Sequence, residues 1–321
     1  MGMTQDDKII GVFGGTGFLG HAIINDLARA GFRVKVMTRH PESCYELKPY
    51  GNVGQIVPYF CNYKEEGAID KAIEGCDAVI NLIGILFEKG KNSFEKAHVR
   101  IPEEIAKACK KHKVERLLHV SALGIDENKS KYAQTKLKGE EAIKEAFPSV
   151  TIFRPSVVFG PDDSFFNMFA QLSTLLPALP LIGGGKTKFQ PVYVGDIAEA
   201  ALKVMQDTSD GHAGKIYEMG GPDIVTFKEI YEILLKETDR KRALIPVPWP
   251  IATLKGKVMS ILPKPPLTGD QVKSLRHDNI LSGKYQEFSD LGMTPTPMDV
   301  ILPQYLSTYR RGGRFADKKA S

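Results

Sequence analysis

The chain has few of the residues that hold together small disulfide-bonded or metal-dependent folds. Its 321 residues include four cysteines, at positions 44, 61, 76 and 109, and no two of them form a C-x-x-C pair. The seven histidines include no H-x-x-x-H motif. Because zinc and iron–sulfur sites depend on such spacings, the sequence predicts no metal centre and no disulfide scaffold.

Long apolar runs are also missing from the sequence. The stretch from Val79 to Phe87 is interrupted by Asn81 and Gly84 and stops at Glu88, well short of the roughly 20 residues that span a bilayer. A hydrophobic content of 42%, a charged content of 25% and a mean hydropathy of -0.18 are typical of water-soluble globular proteins. We therefore expect a folded chain without transmembrane helices.

Positive charge is concentrated at one end of the chain. The formal net charge is +5, and residues 310–321 hold five basic side chains against one acidic residue, Asp317. Since the rest is nearly neutral and carries a single Trp, the sequence predicts no nucleic-acid partner. The basic end is either a solvated, frayed terminus or a contact for anionic lipid or an acidic partner.

The opening segment, MGMTQDDKIIG, is acidic and leads directly into an apolar strand. Secretory signals and Arg-rich transit peptides have different compositions. We therefore expect the protein in the bacterial cytoplasm, where cysteines stay reduced.

Short apolar strands alternate with amphipathic helical patterns through the first half of the chain. Six such units predict an α/β fold with a doubly wound parallel Rossmann sheet. After Gly160 prolines become frequent and elements shorter, which predicts a Rossmann domain over 1–160 and a smaller C-terminal α/β substrate-type domain over 161–321. The stretch 215–219 has the pattern of a strand that can rejoin the first sheet.

A glycine-rich turn follows the first predicted strand. Gly14 permits a tight turn, Gly17 lets the backbone approach a diphosphate, and Gly20 allows the next helix to pack closely on the strand. Free amides at the helix start then face the phosphates. The sequence therefore predicts a dinucleotide site whose ligands include Gly14, Gly15, Thr16, Gly17, Phe18, Leu19 and Gly20.

The end of the second predicted strand bears on the choice of dinucleotide. An acidic residue there favours NAD(H), whereas an Arg accommodates the 2′-phosphate of NADP(H). Thr38 and Arg39 come first, with no carboxylate before Glu42, so NADP(H) is favoured while NAD(H) stays open. The alternative is that Arg39 is an exposed loop residue that contacts no phosphate. Asn62, just after the third strand, is a candidate adenine contact.

Tyr132 and Lys136 lie four residues apart in a predicted helix, so their side chains share one face. In a nicotinamide site, Lys136 hydrogen-bonds the nicotinamide ribose, and its charge lowers the pKa of the phenol from its usual value near 10. Tyr132 then exchanges a proton with a substrate carbonyl or alcohol. Both residues are therefore candidate catalytic and cofactor-binding groups.

Four segments occur in the order typical of one superfamily: GGTGFLG at 14–20, YAQTK at 132–136, RPSVVFGP at 154–161 and PVYVGDIAEA at 191–200. With them, the chain resembles the extended and atypical short-chain dehydrogenase/reductases of the NAD-dependent epimerase/dehydratase superfamily. The segments SKYAQTKLKGEEAI, FGPDDSFFNMFA, FQPVYVGDIAEA and DLGMTPTPMDV make it most similar to the complex I alpha subcomplex subunit nine family.

The resemblance implies a tightly held NADPH and a role in assembling or stabilising a membrane-bound complex. It also implies that a Ser or Thr after the fifth strand polarises a substrate carbonyl. Ser121 is the candidate, unless the register places Ala122 or Leu123 there. The resemblance further brings Gly84 and Pro155 near the nicotinamide end of the cofactor. Asn81 is interpreted as an amide that stabilises the loop after the fourth strand. Arg154 either lies at the nicotinamide end or forms a buried ion pair. Pro191, Val192 and Tyr193 are carried over as candidate cleft-lining residues.

The sequence leaves more than one function open. The first is an accessory or assembly subunit of respiratory complex I, bound to complex I subunits or to the cytoplasmic face of the inner membrane. The second is an active NADPH-dependent oxidoreductase or epimerase, in quinone biosynthesis for example. A third is a sensor of NADP redox state. The oligomeric state stays open.

The segment 246–263 carries the single Trp and an apolar stripe. Trp249 precedes Ile251, Leu254, Val258, Ile261 and Leu262, with Lys255 and Lys257 beside them. Either the segment lies in a membrane interface with Trp249 at headgroup depth, or it packs on its own domain.

Overall fold

The computed structural model describes residues 8–90, 92–260, 262 and 265–313. The strands are β1 Ile9–Phe13, β2 Arg33–Thr38, β3 Ile56–Phe60, β4 Ala78–Asn81, β5 Arg116–Val120, β6 Thr151–Pro155, β7 Val158–Phe159, β8 Ala178–Ile182, β9 Lys188–Phe189, β10 Val192–Tyr193, β11 Ile216–Met219, β12 Val225–Thr226 and β13 Ala243–Val247. The helices are α1 Phe18–Arg29, α2 Ala68–Ile73, α3 Ile101–Lys111, α4 Lys131–Ala146, α5 Phe166–Leu175, α6 Val194–Gln206, α7 Phe227–Glu237, α8 Trp249–Met259, α9 Gly269–Ser274 and α10 Met298–Leu306.

Seven strands form a central parallel sheet in the order β3-β2-β1-β4-β5-β6-β11. The strand order reverses between β1 and β4, whose Phe13 and Asn81 are paired. In such sheets ligands bind beyond the carboxyl ends of the strands at the point of reversal. The predicted doubly wound Rossmann sheet is confirmed.

Helices cover both faces of this sheet. Leu118 and Val120 of β5 join the core beneath α1 and α6, whereas Leu117 joins the core beneath α2 and α3. Because both faces are covered, four of the five residues of β1 and all five of β6 are buried.

The second part of the chain is built from short ladders around an aromatic core. β7 pairs with β10, β8 with β13, and β9 with β12. Phe159, Phe166, Phe169, Phe227 and Tyr231 pack there with α10. The strand within 215–219 lies at the edge of the central sheet as β11, parallel to β6. The boundary at residue 160 stays a prediction.

The helical segment before β5 is irregular in its first turns. Residues Glu95–Arg100 are π-helical, and α3 begins only at Ile101. A Cβ on Gly139 of α4 would lie within 1.8 Å of the His98 carbonyl oxygen, so the two helices approach backbone to backbone. Such widened turns are frequent at functional sites.

Candidate dinucleotide site

The glycine turn after β1 is shaped by two close approaches. Gly14 has a φ of +77°, and a Cβ there would lie 3.1 Å from the Leu82 backbone. A Cβ on Gly20 would lie 2.4 Å from the Gly15 carbonyl oxygen. These glycines are required by the backbone itself, with or without a ligand.

Gly17 differs from its neighbours because space is open beside it. It is the N-cap of α1 with extended backbone, and a Cβ there would meet only the Gly14 carbonyl oxygen, at 3.4 Å. No side chain caps the helix, and its first turn holds no acidic residue. The first amides of a helix lack intrahelical acceptors and favour negative charge. The turn therefore suits an anionic group.

A cleft of about 330 Å³ opens beside this turn. It runs from the end of β2 past the glycines to the π-helical turn, where Ser93, Lys96 and Ala97 line it. The predicted cofactor residues in its lining are Gly14, Thr16, Gly17, Thr38, Arg39 and Gly84. The other predicted cofactor residues are not in that lining, and the contacts assigned to them stay predictions: Gly15, Phe18, Leu19, Gly20, Asn62, Tyr132, Lys136 and Pro155.

One end of the cleft is rich in cations and aromatic surface. The exposed Arg39 guanidinium lies 5.8 Å from the Tyr63 ring centroid, and the Tyr63 hydroxyl donates to the Met37 carbonyl (2.9 Å). Glu42 is engaged by the His40 imidazole, at 3.1 Å. Asn62 instead donates its amide to Glu65 (2.6 Å).

Sequence reasoning missed four residues that line this end: His40, Ser43, Tyr63 and Lys64. The signal for the last two was their position directly after β3, next to Asn62. His40 and Ser43 lie in the loop after β2, where a glycine fingerprint says nothing about side chains.

Tyr132 and Lys136 are not in the lining of the cleft, but Lys136 lies next to Gly84, which is. The Lys136 ammonium donates to the Val120 carbonyl (3.1 Å), and a Cβ on Gly84 would be 3.3 Å from Lys136 Nζ. Burial lowers the pKa of Lys136 to about 8 and raises the pKa of Tyr132 to about 12. The expected lowering of the phenol pKa is therefore absent here, since burial dominates.

Ser121 follows β5 directly. It is buried, its amide donates to the Phe153 carbonyl (2.7 Å), and its Oγ has no hydrogen-bond partner among the described residues. The Leu123 amide is taken by the Pro155 carbonyl (2.9 Å). A buried hydroxyl without a partner is costly, so the side chain fits a site that receives a polar ligand group.

Two histidines near Lys136 were not predicted. His98 of the π-helical turn lies 3.0 Å from Thr135 Oγ1, and its ring lies edge-on to the Tyr132 ring at 5.2 Å. His119 of β5 contacts the Asn81 amide (3.0 Å), and its Nε2 has no partner among the described residues. Burial, then the Lys136 charge, lowers the pKa of His98 to about 3 and that of His119 well below its usual value. Both rings are neutral at physiological pH.

Arg154 lies in a buried ion pair away from the cleft. Its guanidinium bonds Glu140 (2.7 Å) and Asp126 (2.7 Å) and stacks on the Tyr285 ring at 4.6 Å. Burial alone would lower the pKa of Arg154, but the two carboxylates outweigh it and raise the pKa. The alternative of a buried ion pair is therefore confirmed, and Arg154 is not in the lining of the cleft.

The described ranges contain no group of three or more His, Cys, Asp or Glu side chains placed to hold a metal ion. None of their helices is both long and apolar enough to cross a membrane.

Sheet order, glycine turn and cleft together define a Rossmann-type dinucleotide fold. The model of the NAD dependent epimerase/dehydratase family matches residues 10–220. The chain is also similar in structure to an NADPH-dependent quinone oxidoreductase from Escherichia coli, with a TM-score of 0.72, 19% identity, and coverage of 93% of this chain and 98% of that one. A triphenylmethane reductase from Citrobacter gives a TM-score of 0.75 at 20% identity, covering 92% and 99%.

Proteins similar in sequence point to a narrower family. The mitochondrial NADH dehydrogenase 1 alpha subcomplex subunit 9 of Arabidopsis thaliana is 37% identical over 94% of this chain and 78% of its own length. The mouse protein of that name is 33% identical over 93% and 80%. The chain therefore belongs to the NAD dependent epimerase/dehydratase family and, within it, to the family of complex I alpha subcomplex subunit 9, which confirms the resemblance.

Proposed function

We propose that this protein binds NADP(H) in the cleft and acts as an accessory or assembly subunit of respiratory complex I, peripheral to the cytoplasmic face of a bacterial inner membrane. The observation that carries the coenzyme part is the uncapped start of α1, where Gly17 leaves open space beside free amides. The diphosphate would bind there. Arg39, aided by Ser43 and Lys64, would hold the 2′-phosphate.

Calorimetric titration tests coenzyme choice. We expect NADPH to bind more tightly than NADH. Arg39→Ser should weaken NADPH binding by about tenfold. The loss of affinity should be smaller than for a buried charged hydrogen bond, because the Arg39 side chain is exposed. Arg33→Ser, an exposed change at the opposite end of β2, is the matched control. Equal NADPH affinity in Arg39→Ser and Arg33→Ser would contradict the assignment of the 2′-phosphate.

Association with complex I rests on the relatives named for that complex. We expect the protein to co-fractionate with membranes that contain NADH:quinone oxidoreductase, and its deletion to lower the amount of assembled complex on native gels. Normal assembly in the deletion strain would contradict this role.

A second candidate is a working NADPH-dependent oxidoreductase or epimerase. The observation that favours it is Ser121, whose buried Oγ has no partner among the described residues near the Tyr132 and Lys136 helix. A bound nicotinamide would supply or accept the hydride. Ser121 would donate a hydrogen bond to a substrate carbonyl oxygen, and Tyr132 would deliver the proton to that oxygen.

Replacement of the phenol separates the two functions. Tyr132→Phe keeps the ring that packs on His98 and removes only the hydroxyl, so we expect coenzyme affinity to change little. If the protein is an oxidoreductase, this variant no longer oxidises NADPH, and cells that carry it grow as poorly as cells that lack the protein. If complex I assembly is its function, Tyr132→Phe supports normal assembly.

A further inference from the structure

Helix α8 turns three aliphatic side chains to solvent and two small residues to the protein. Ala252 and Gly256 are buried. Ile251, Leu254 and Val258 are 49%, 66% and 61% exposed. A helix on the surface of a soluble domain normally has the reverse arrangement.

The inner side of α8 is held tightly. A Cβ on Gly256 would lie 2.9 Å from the Thr268 backbone at the start of α9. Trp249 packs over Gly183, where a Cβ would come within 2.1 Å of its ring, and Arg276 lies 5.3 Å from the ring centroid. Of the two arrangements left open for this residue, the structure therefore shows the indole packed against its own domain.

The exposed side chains form a single stripe. Ile251, Leu254 and Val258 fall within about 60° of arc at 100° per residue, and Leu262 beyond the helix is 50% exposed. Ile261, the remaining member of the sequence stripe, lies outside the described residues. The exposed Lys255 and Lys257 flank the stripe on opposite sides of the helix.

The charge around the stripe has one sign. Lys255 and Lys257 are the charged residues of α8, and the helix has no acidic residue. Lysines beside an apolar face extend their stems along it and keep the ammonium groups in water or on lipid phosphates.

We propose that this face of α8 binds the surface of an anionic phospholipid bilayer, with the stripe at the level of the upper acyl chains and the two lysines on the phosphates. The composition separates lipid from protein. Protein contacts are enriched in Trp, Tyr and Arg and depleted in Lys, whereas this face is aliphatic with lysine flanks and the single Trp turned away. The proposal specifies the peripheral membrane contact in the proposed function and does not depend on coenzyme binding.

Flotation of the full-length protein with vesicles tests the face. We expect binding to phosphatidylcholine vesicles containing phosphatidylglycerol, weakened by salt, and little binding to phosphatidylcholine alone. Leu254→Asp should weaken binding at least tenfold, and Lys255→Glu about fivefold or more.

Two matched changes elsewhere serve as controls. Val300→Asp replaces an aliphatic side chain that is 52% exposed on α10, and Lys110→Glu reverses an exposed charge on α3. Both should bind vesicles like the unchanged protein. All four variants should keep their unfolding midpoint and NADPH affinity.

Three results would overturn the proposal. The first is that the unchanged protein shows no preference for anionic vesicles. The second is equal vesicle binding by Leu254→Asp and Val300→Asp, and the third is normal vesicle binding by Leu254→Asp together with lost co-purification of complex I subunits. The last would make the face a protein contact. Failure of NADPH to bind would contradict the proposed coenzyme and leave the vesicle result to stand alone.

Discussion

Replacing Gly17 by Asp should move stability and coenzyme affinity in opposite directions. The backbone of Gly17 is extended, with φ -91° and ψ 172°, which any residue adopts. A Cβ would meet only the Gly14 carbonyl oxygen, at the ordinary contact distance of 3.4 Å. The folded chain therefore has room for the new side chain.

The new carboxylate would cap α1. Asp is a better N-cap than Gly by a few tenths of a kcal/mol, and its charge adds about 0.3 to 1 kcal/mol at the helix start. We expect the free energy of unfolding to rise by about 0.5 to 1 kcal/mol.

The same carboxylate would repel a diphosphate bound to these amides. Two like charges 4 Å apart at an effective dielectric of 20 cost about 4 kcal/mol, or roughly a thousandfold in affinity. Urea unfolding and calorimetric titration with NADPH measure the two effects. Gly17→Ala separates bulk from charge and should lose less affinity.

Gly20→Ala provides the contrast. Its Cβ would lie 2.4 Å from the Gly15 carbonyl oxygen, so we expect a loss of stability of about 1 to 3 kcal/mol. Unchanged NADPH affinity in Gly17→Asp, or a larger stability loss there than in Gly20→Ala, would refute the reasoning.

Three further predictions concern the elements around the site. Asp270→Ala should cost about 1 to 3 kcal/mol in urea unfolding, because the carboxylate accepts the Tyr132 amide (3.0 Å) at the start of α4; an unchanged midpoint would contradict this. Glu140→Gln should cost about 3 kcal/mol, since it breaks a buried pair with Arg154; a change below about 0.5 kcal/mol would count against the pair. Because burial lowers the pKa of Lys136 from 10.5 to about 8, the unfolded chain binds the extra proton between these values, and stability should rise with pH from about 8 to about 10.5. Urea midpoints across this range should rise in the unchanged protein relative to those of Lys136→Met, a comparison that cancels the titration of the buried cysteines and tyrosines; parallel profiles would contradict the lowered pKa.

The sheet and its ligand edge were predictable because they depend on local patterns. Alternating strands and helices, with Gly14, Gly17 and Gly20 after the first strand, specify a doubly wound sheet with few alternatives. The stretch 215–219 was recognisable as a strand from its short pattern of apolar residues, Ile216, Tyr217 and Met219.

What the sequence could not supply are contacts between residues far apart in the chain. The π-helical turn that carries His98 follows from the close approach of Gly139, about forty positions later. Arg154 is placed by Asp126 and Glu140, and no spacing rule predicts that triad. Trp249 has the pattern of an interface anchor, yet Gly183 provides the space that turns it inward.

Native mass spectrometry of the protein purified from its own cells tests the central claim most directly. The account predicts one bound NADP(H) per chain in the unchanged protein and none in Gly17→Asp, with both chains folded. A folded, unchanged protein that carries no dinucleotide and gives no heat when titrated with NADPH or NADH would contradict it.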